Sequence, residues 1–411
     1  MFLEKLQNII LNEKTSKYCI SLFILIIGFK VYQNIWNELP GAWSIGELLI
    51  NYEGGFVRRG LLGQLFYFTG YPAFYATLIQ KLIILLFFIC FISFIFMTGS
   101  KRDAWAIFFA VAFSAGGLID ISIGGWEYLD RKEFLFYLSI LILIFISGVF
   151  NLGSNTGILI TSCISILMIF IHEIFAVFFV PPLILILFYH SSFGRISFFK
   201  IGGLYILPVT IAFLMIYFNP GNQELMQAIL DSLSTTDARN ITGGIVAIGW
   251  KLEQSHNLAT QMISKGSANI WVFYLLLNSI IAVVVTTILS RSFYEFALRI
   301  IILAWMVLAV NISAYTGWDW GRWISILGIG FPLLLGLTLF NTTILNEITT
   351  LSKLSFMPKL NLETLKPKII LICLILLITH LSVSTRMNHC CPHPSGLKLY
   401  STSSILGSII P

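Results

Sequence analysis

Four short stretches of this chain gather ionisable and aromatic side chains at spacings that could do chemistry. In NYEGGFVRRGLLGQ, residues 51–64, Glu53, Arg58 and Arg59 stand within seven residues, with glycines on both sides. Arginine makes bidentate, charge-assisted bonds to phosphate oxygens and keeps its charge at a membrane surface. Adjacent helical residues diverge by about 100°, so Arg58 and Arg59 could serve different partners. Gly54 and Gly55 admit positive φ and the close approach of a ligand. Gly60 and Gly63 would let the next segment pack tightly or dip into the interface. The stretch reads as a phosphate clamp with a carboxylate beside it; the structural alternative is a Glu–Arg pair stapling a re-entrant turn.

The second stretch, DISIGGWEYLDRKEF, holds Asp120, Glu127, Asp130 and Glu133 with Arg131 and Lys132. Asp130 and Glu133 share one face of a helix start, where acids also complement the helix dipole. Four acids with two bases exceed what a cap needs, so one carboxylate could hold a hydroxyl or take a proton. The third, FIHEIFAVFFVPP, places His172 and Glu173 together among apolar residues, at the tip of a hairpin or inside a broken helix. Ala176 stands where a zinc-binding H-E-x-x-H motif requires its second histidine. The fourth, AYTGWDWGRW, sets Asp319 and Arg322 three apart among Trp318, Trp320 and Trp323. Tryptophans of this kind form interfacial belts, and their faces also stack on sugar rings.

The elements that must position these residues are membrane helices. Hydrophobic residues make up 57% of the 411 and charged ones 11%, where an ordinary soluble domain has about 25% charged. Candidate membrane-spanning apolar runs, some of them short, cover 18–36, 72–98, 104–121, 134–150, 157–171, 174–189, 197–218, 269–289, 297–316, 324–342 and 369–385. The expected fold is therefore all-α, a polytopic membrane protein of about eleven helices forming one transmembrane domain over 1–411. No small-residue cleavage site follows the first run, so 18–36 reads as a retained helix. Four of the six cysteines lie within apolar runs, where they act as small hydrophobes, and none shows zinc-ligand spacing.

With the N-terminus inside, the inner segments and their flanks hold thirteen basic residues against six acids, and the outer segments ten against thirteen. That balance follows the positive-inside rule. The net charge of +6 is thus a matter of topology and points to no nucleic acid. In this orientation all four stretches, with Glu47, face the outer side. Ionisable groups converging on one edge of the hydrocarbon mark a functional site; the bland alternative is that each anchors its own helix end. The segment 219–268 is the one sizeable polar portion and is expected to form a small periplasmic cap of short helices, one of them near 222–234. No period of 20–50 residues marks a solenoid or a repeat transporter.

The ensemble resembles the polytopic bacterial glycosyltransferases of surface-polysaccharide assembly: the O-antigen or capsule repeat-unit polymerases of the Wzy type and the wider GT-C superfamily. The resemblance is architectural and covers most of the chain. It rests on the span number, an acid in the first outer loop, the charges between spans three and four, and the arginine-bearing outer motifs. It implies sugars on undecaprenyl phosphate or diphosphate as substrates, met at the periplasmic face of the bacterial inner membrane, with other polysaccharide-assembly proteins as partners. It assigns Arg58 and Arg59, helped by Arg322, to the lipid-linked phosphate. Glu53 is then the first candidate base and Asp130 or Glu133 the second, while His172 and Glu173 position the acceptor or relay a proton. Trp126, Asp319 and Trp320 would contact sugar. No cofactor is implied, and no metal is required where arginines neutralise the leaving group, although the acids leave one open. GT-C enzymes often carry Asp in the first loop where this chain has Glu53. Addition of a single sugar is the neighbouring reading. A flippase for the same lipid would also need arginine on a phosphate path, but with polar residues along the midplane, and a non-catalytic assembly subunit is a third class.

Overall fold

The computed structural model of the protein describes residues 13–37, 42–124, 132–191, 195–233, 242–250, 252–264, 267–316 and 320–339. Among them there is no strand. The helices are α1 Glu13–Asn37, α2 Ala42–Leu48, α3 Gly60–Tyr67, α4 Pro72–Met97, α5 Lys101–Phe113, α6 Leu118–Gly124, α7 Glu133–Val149, α8 Asn155–Ile171, α9 Ile174–Phe178 and α10 Val180–His190. There follow α11 Arg195–Ile201, a π turn over Gly202–Ile206, α12 Leu207–Tyr217, α13 Gln223–Ser232, α14 Thr242–Val246 and α15 Leu252–Ser264. The last are α16 Ser267–Leu289, α17 Phe293–Thr316, α18 Trp320–Ser325, a second π turn over Ile326–Gly330, and α19 Phe331–Leu339.

Among the described residues, six helical stretches are long and apolar enough to cross a membrane: Thr15–Gln33, Pro72–Met97, Arg195–Tyr217, Trp271–Leu289, Phe293–Tyr315 and Gly321–Leu339. The chain is an all-helical, multi-pass membrane protein. The runs at 134–150, 157–171 and 174–189 correspond to the shorter apolar helices α7, α8 and α9–α10; the run at 369–385 lies outside the described residues. Local signals set the helix starts. Pro72 opens α4, where its missing N–H costs nothing. Ser100 and Ser154 cap α5 and α8 by accepting from the N–H of Asp103 and Gly157.

One main core runs through the bundle, built largely of Ile, Leu and Phe from α4, α7, α8, α17 and α19. A smaller second core joins Ile45 and Leu48 of α2 and the following Leu49 with Val57, Phe66, Ile229, Ile245 and Ile248. Part of the expected cap, α13 to α14, is thus packed on the first polar loop. Asn222 caps α13 by accepting from the Leu225 N–H at 2.8 Å.

The expected single span over 104–121 is instead two helices, α5 and α6, broken at Ser114–Gly117. Gly116 takes φ +70°, and a β-carbon there would stand 2.9 Å from the Cα of Ser325. A break inside an apolar bundle frees backbone groups that must find partners. Asn278 of α16 meets them: its Oδ1 accepts from Ala115 N at 2.7 Å, and its Nδ2 donates to Ala115 O at 3.0 Å and Ile324 O at 3.1 Å. Ser325 Oγ donates to Gly116 O, and Ser114 Oγ donates to Gly328 O in the second π turn. Two irregular backbones thereby satisfy each other at one place.

Asn278→Leu would strand several buried backbone groups, each worth about 1–3 kcal/mol. We expect it to lower unfolding stability in detergent by roughly 3 kcal/mol. Asn311→Leu, which removes only a bond to its own helix on an exposed face, should change stability little; equal losses in the two variants would contradict this account of the break.

Candidate functional site

Charged residues from five separate segments meet at one end of the bundle. Glu173, in the turn between α8 and α9, receives Arg59 in a two-pronged pair, Nε to Oε2 at 2.9 Å and Nη2 to Oε1 at 2.5 Å. Arg58 adds a third contact, Nη1 to Oε1 at 3.2 Å. Arg59 also reaches Glu47 of α2 at 3.7 Å. Glu47 takes the guanidinium of Arg322 from α18, at 3.3 and 3.2 Å. The Arg322 Nε in turn donates to Glu133 Oε1 at the start of α7. The chain of pairs therefore runs Arg58–Glu173–Arg59–Glu47–Arg322–Glu133. Among the described residues three carboxylates face three guanidiniums, and Glu47, Glu133 and Arg322 are buried.

The backbone is bent to make this possible. Arg59 adopts φ 67°, ψ 5°, the left-handed region that costs a side-chain-bearing residue about 1–2 kcal/mol. Among the described residues it is the sole non-glycine with positive φ. Lys132, itself buried, donates from Nζ to the carbonyls of Arg59 at 3.3 Å and Ile171 at 3.2 Å. It thereby ties the strained turn to the end of α8. The cap braces the same loop from the other side: Arg58 N donates to Asn219 O at 3.0 Å, and Asn51 Nδ2 to Ser232 Oγ at 2.9 Å.

Burial alone would raise the Glu173 carboxyl, but the charge and hydrogen bonds of Arg59, with the charge of Arg58, outweigh it and hold it well below the usual range. Burial, aided by the charge of Arg59, holds His172 well below its ordinary value, so the imidazole is neutral. Its Nδ1 accepts from Ile174 N at 3.2 Å, which places the ring proton on Nε2. Burial brings the Lys132 amine down to about 7, against the opposing pull of Glu47.

Four buried side-chain atoms here have no hydrogen-bond partner among the described residues: Arg58 Nε, His172 Nε2, Trp323 Nε1 and Glu133 Oε2. Trp323 stands beside Arg322, whose guanidinium carbon lies 5.4 Å from its ring centre. Buried polar atoms are nearly always paired. Three donors and one carboxylate oxygen left over in one cluster are the complement of a polar, anionic ligand. No family model, curated protein or solved structure matches the chain.

Of the residues singled out in the sequence, Arg58, Arg59, Glu133, His172, Glu173 and Arg322 come together. Trp126, Asp130 and Asp319, and the side chain of Trp320, lie outside the described residues. Glu53 is exposed at the rim, where Gln64 Nε2 donates to its Oε1 at 3.2 Å while Gln64 Oε1 accepts from Tyr52 N. Among the described residues, then, the arginines are stapled to Glu173 and Glu47, and not to Glu53 as a local Glu–Arg turn would have it. The glycines also divide differently from expectation. Gly55 takes φ +123°, but the close approach at Gly54 is to α13, where a β-carbon would meet that of Ala228 at 2.7 Å. Glu47, Gln64, Lys132 and Trp323 carry site contacts that their sequence positions did not assign to them. A lone acid in the apolar helix AWSIGEL was the one signal for Glu47.

Glu47 bridges two arginines, so Glu47→Gln breaks both bridges and leaves three guanidiniums facing two carboxylates among the described residues. Breaking such a pair costs about 3–5 kcal/mol. The variant should accumulate poorly in membranes and unfold early in detergent, whereas Glu53→Gln at the exposed rim should match wild type. Normal thermal stability of Glu47→Gln would contradict the pairing scheme.

Proposed function

We propose that the protein is a membrane glycosyltransferase of surface-polysaccharide assembly, polymerising oligosaccharide repeat units carried on undecaprenyl diphosphate. It would act at the periplasmic face of the bacterial inner membrane, with its N-terminus in the cytoplasm. The observation that carries this reading is the leftover set of three N–H donors and one carboxylate oxygen within a cluster otherwise closed by ion pairs. Such a set suits a ligand that is both anionic and rich in hydroxyls, as a sugar on a lipid diphosphate is.

In this scheme Arg58 is the phosphate ligand. Its side chain is 25% exposed, against 14% for Arg59 and 6% for Arg322, and its Nε is uncommitted. Arg59 and Arg322 are taken up by carboxylates and serve to hold the others. Glu133 is oriented by Arg322 through one oxygen, so its other oxygen can take the proton of the acceptor hydroxyl. The acceptor oxygen then bonds to the anomeric carbon, the bond from that carbon to the phosphate oxygen breaks, and the diphosphate leaves with its negative charge against Arg58. The Nε2–H of His172 and the Nε1–H of Trp323 would donate to sugar or phosphate oxygens. Glu53, aimed by Gln64, is the carboxylate at the rim and the second candidate for the base.

Deleting the gene should leave a polysaccharide core bearing one repeat. Complementation with Arg58→Ala should fail to restore the ladder on a gel, with polymerisation down at least about 100-fold, while the variant accumulates normally in membranes. Arg59→Ala should lose the protein itself. A normal ladder from Arg58→Ala would rule out the phosphate role, and an intact ladder with altered serology in the deletion strain would favour single-sugar addition.

A further inference from the structure

Between the paired arginines and the span of α4 lies the short helix α3. Its eight residues, Gly60–Tyr67, rise only about 12 Å, well short of the roughly 30 Å of bilayer hydrocarbon, so it cannot cross. It begins directly after Arg59 and ends shortly before Pro72, where the apolar span Pro72–Met97 starts. Both ends of α3 therefore stand near the same boundary of the membrane.

The two faces of α3 are unlike. One is fixed to protein. β-Carbons at Gly60 and Gly63 would run into the Tyr52 ring and the Ile50 carbonyl, Phe66 is buried in the second core, and Gln64 accepts from Tyr52 N at 2.6 Å. The other face is bare and apolar. Leu65 and Phe68, and beyond the Gly70 turn Tyr71 and Phe74, are each more than half exposed. From Gly60 to Gln80 the chain has no charged side chain.

The exposed row does not stop at the turn. It runs on along α4 through Leu78, Leu82, Leu85 and Ile89, at the three- and four-residue spacing that keeps side chains on one helix face. Because α4 spans the membrane, lipid is what covers that row. Tyr71 and Tyr75 are exposed at its start, as in the aromatic belts that mark the headgroup level. Amphipathic helices at this level bury their apolar face about 5–10 Å into the boundary between headgroups and acyl chains.

We propose that α3 is an interfacial helix, seated with Leu65 and Phe68 among lipids at the edge of the hydrocarbon, and that it sets the depth of the arginine loop. The glycine contacts carry the effect. With α3 pressed against Ile50 and Tyr52, the loop at 51–59 cannot rise or sink without it. Arg58 precedes the helix by two residues and is partly exposed, so its guanidinium is held at the level of lipid phosphates. A phosphate borne by a lipid reaches it without leaving the membrane. The partner is the bilayer and not a second copy of the chain, because the exposed row is continuous with the face of a spanning helix. The inference concerns the depth of the loop and holds whether or not the protein transfers sugar.

The test is photo-cross-linking of the full-length protein in nanodiscs of phosphatidylethanolamine and phosphatidylglycerol. Benzoylphenylalanine replaces, one at a time, the exposed Phe56, Leu65 and Phe68, with Leu85 on α4 and Gln227 on the cap as controls. Mass spectrometry reads the adducts before and after alkaline hydrolysis, which leaves a fatty acid where an acyl chain was captured and a phosphoglycerol where a headgroup was. Positions 65, 68 and 85 should capture lipid several-fold more than position 227, and position 56 should retain phosphoglycerol. Cross-linked dimers at 65 and 68, or no adduct there while position 85 captures lipid, would overturn the proposal. Lipid at 65 and 68 with none at 56 would overturn the depth assigned to Arg58.

Discussion

A buried charge needs a partner, and that requirement shapes this end of the molecule. An unpaired guanidinium or carboxylate in an apolar bundle costs several kcal/mol. Six such groups from five segments avoid the cost by meeting in alternation, from Arg58 to Glu133. No one of these segments can move without breaking at least one ion pair to another. The ion-pair chain therefore acts as a geometric clamp on α2, the 51–59 loop, the α8–α9 turn, and the starts of α7 and α18.

Much of the local irregularity follows from that clamp. Arg59 accepts a left-handed backbone so that its guanidinium reaches both Glu173 and Glu47. Lys132 holds the bent turn through a backbone carbonyl. Gly54 allows α13 to lie against the loop, and the small core around Ile45, Val57 and Ile248 fastens the cap there. Strained backbone of this kind persists where the surroundings over-determine it, and it gathers at functional sites. Here the strain sits in the same cluster as four buried polar atoms that have no hydrogen-bond partner among the described residues.

The helical, membrane-spanning character was legible from the apolar runs alone, because bilayer thickness imposes a length that a sequence displays directly. The charged stretches were legible too, since Arg58, Arg59, Glu133, His172, Glu173 and Arg322 are conspicuous in an oily chain. Their pairing was not. Arg59 and Glu173 are 114 residues apart and Arg322 and Glu47 are 275 apart, so proximity in sequence favoured Glu53, the wrong neighbour. Likewise SAGG at 114–117 passed as part of a continuous span. The partner that makes its break tolerable, Asn278, lies on a distant helix and looks in sequence like an isolated polar residue.

The central claim is that distant charges are energetically coupled as one buried unit. A double-mutant cycle on Arg59 and Glu173, with Arg59→Met, Glu173→Gln and the double variant unfolded in the same detergent, measures that coupling directly. The account predicts that the two losses are strongly non-additive, with a coupling of roughly 2 kcal/mol or more. Additivity to within about 0.5 kcal/mol would show that the two residues do not depend on each other, and would contradict it.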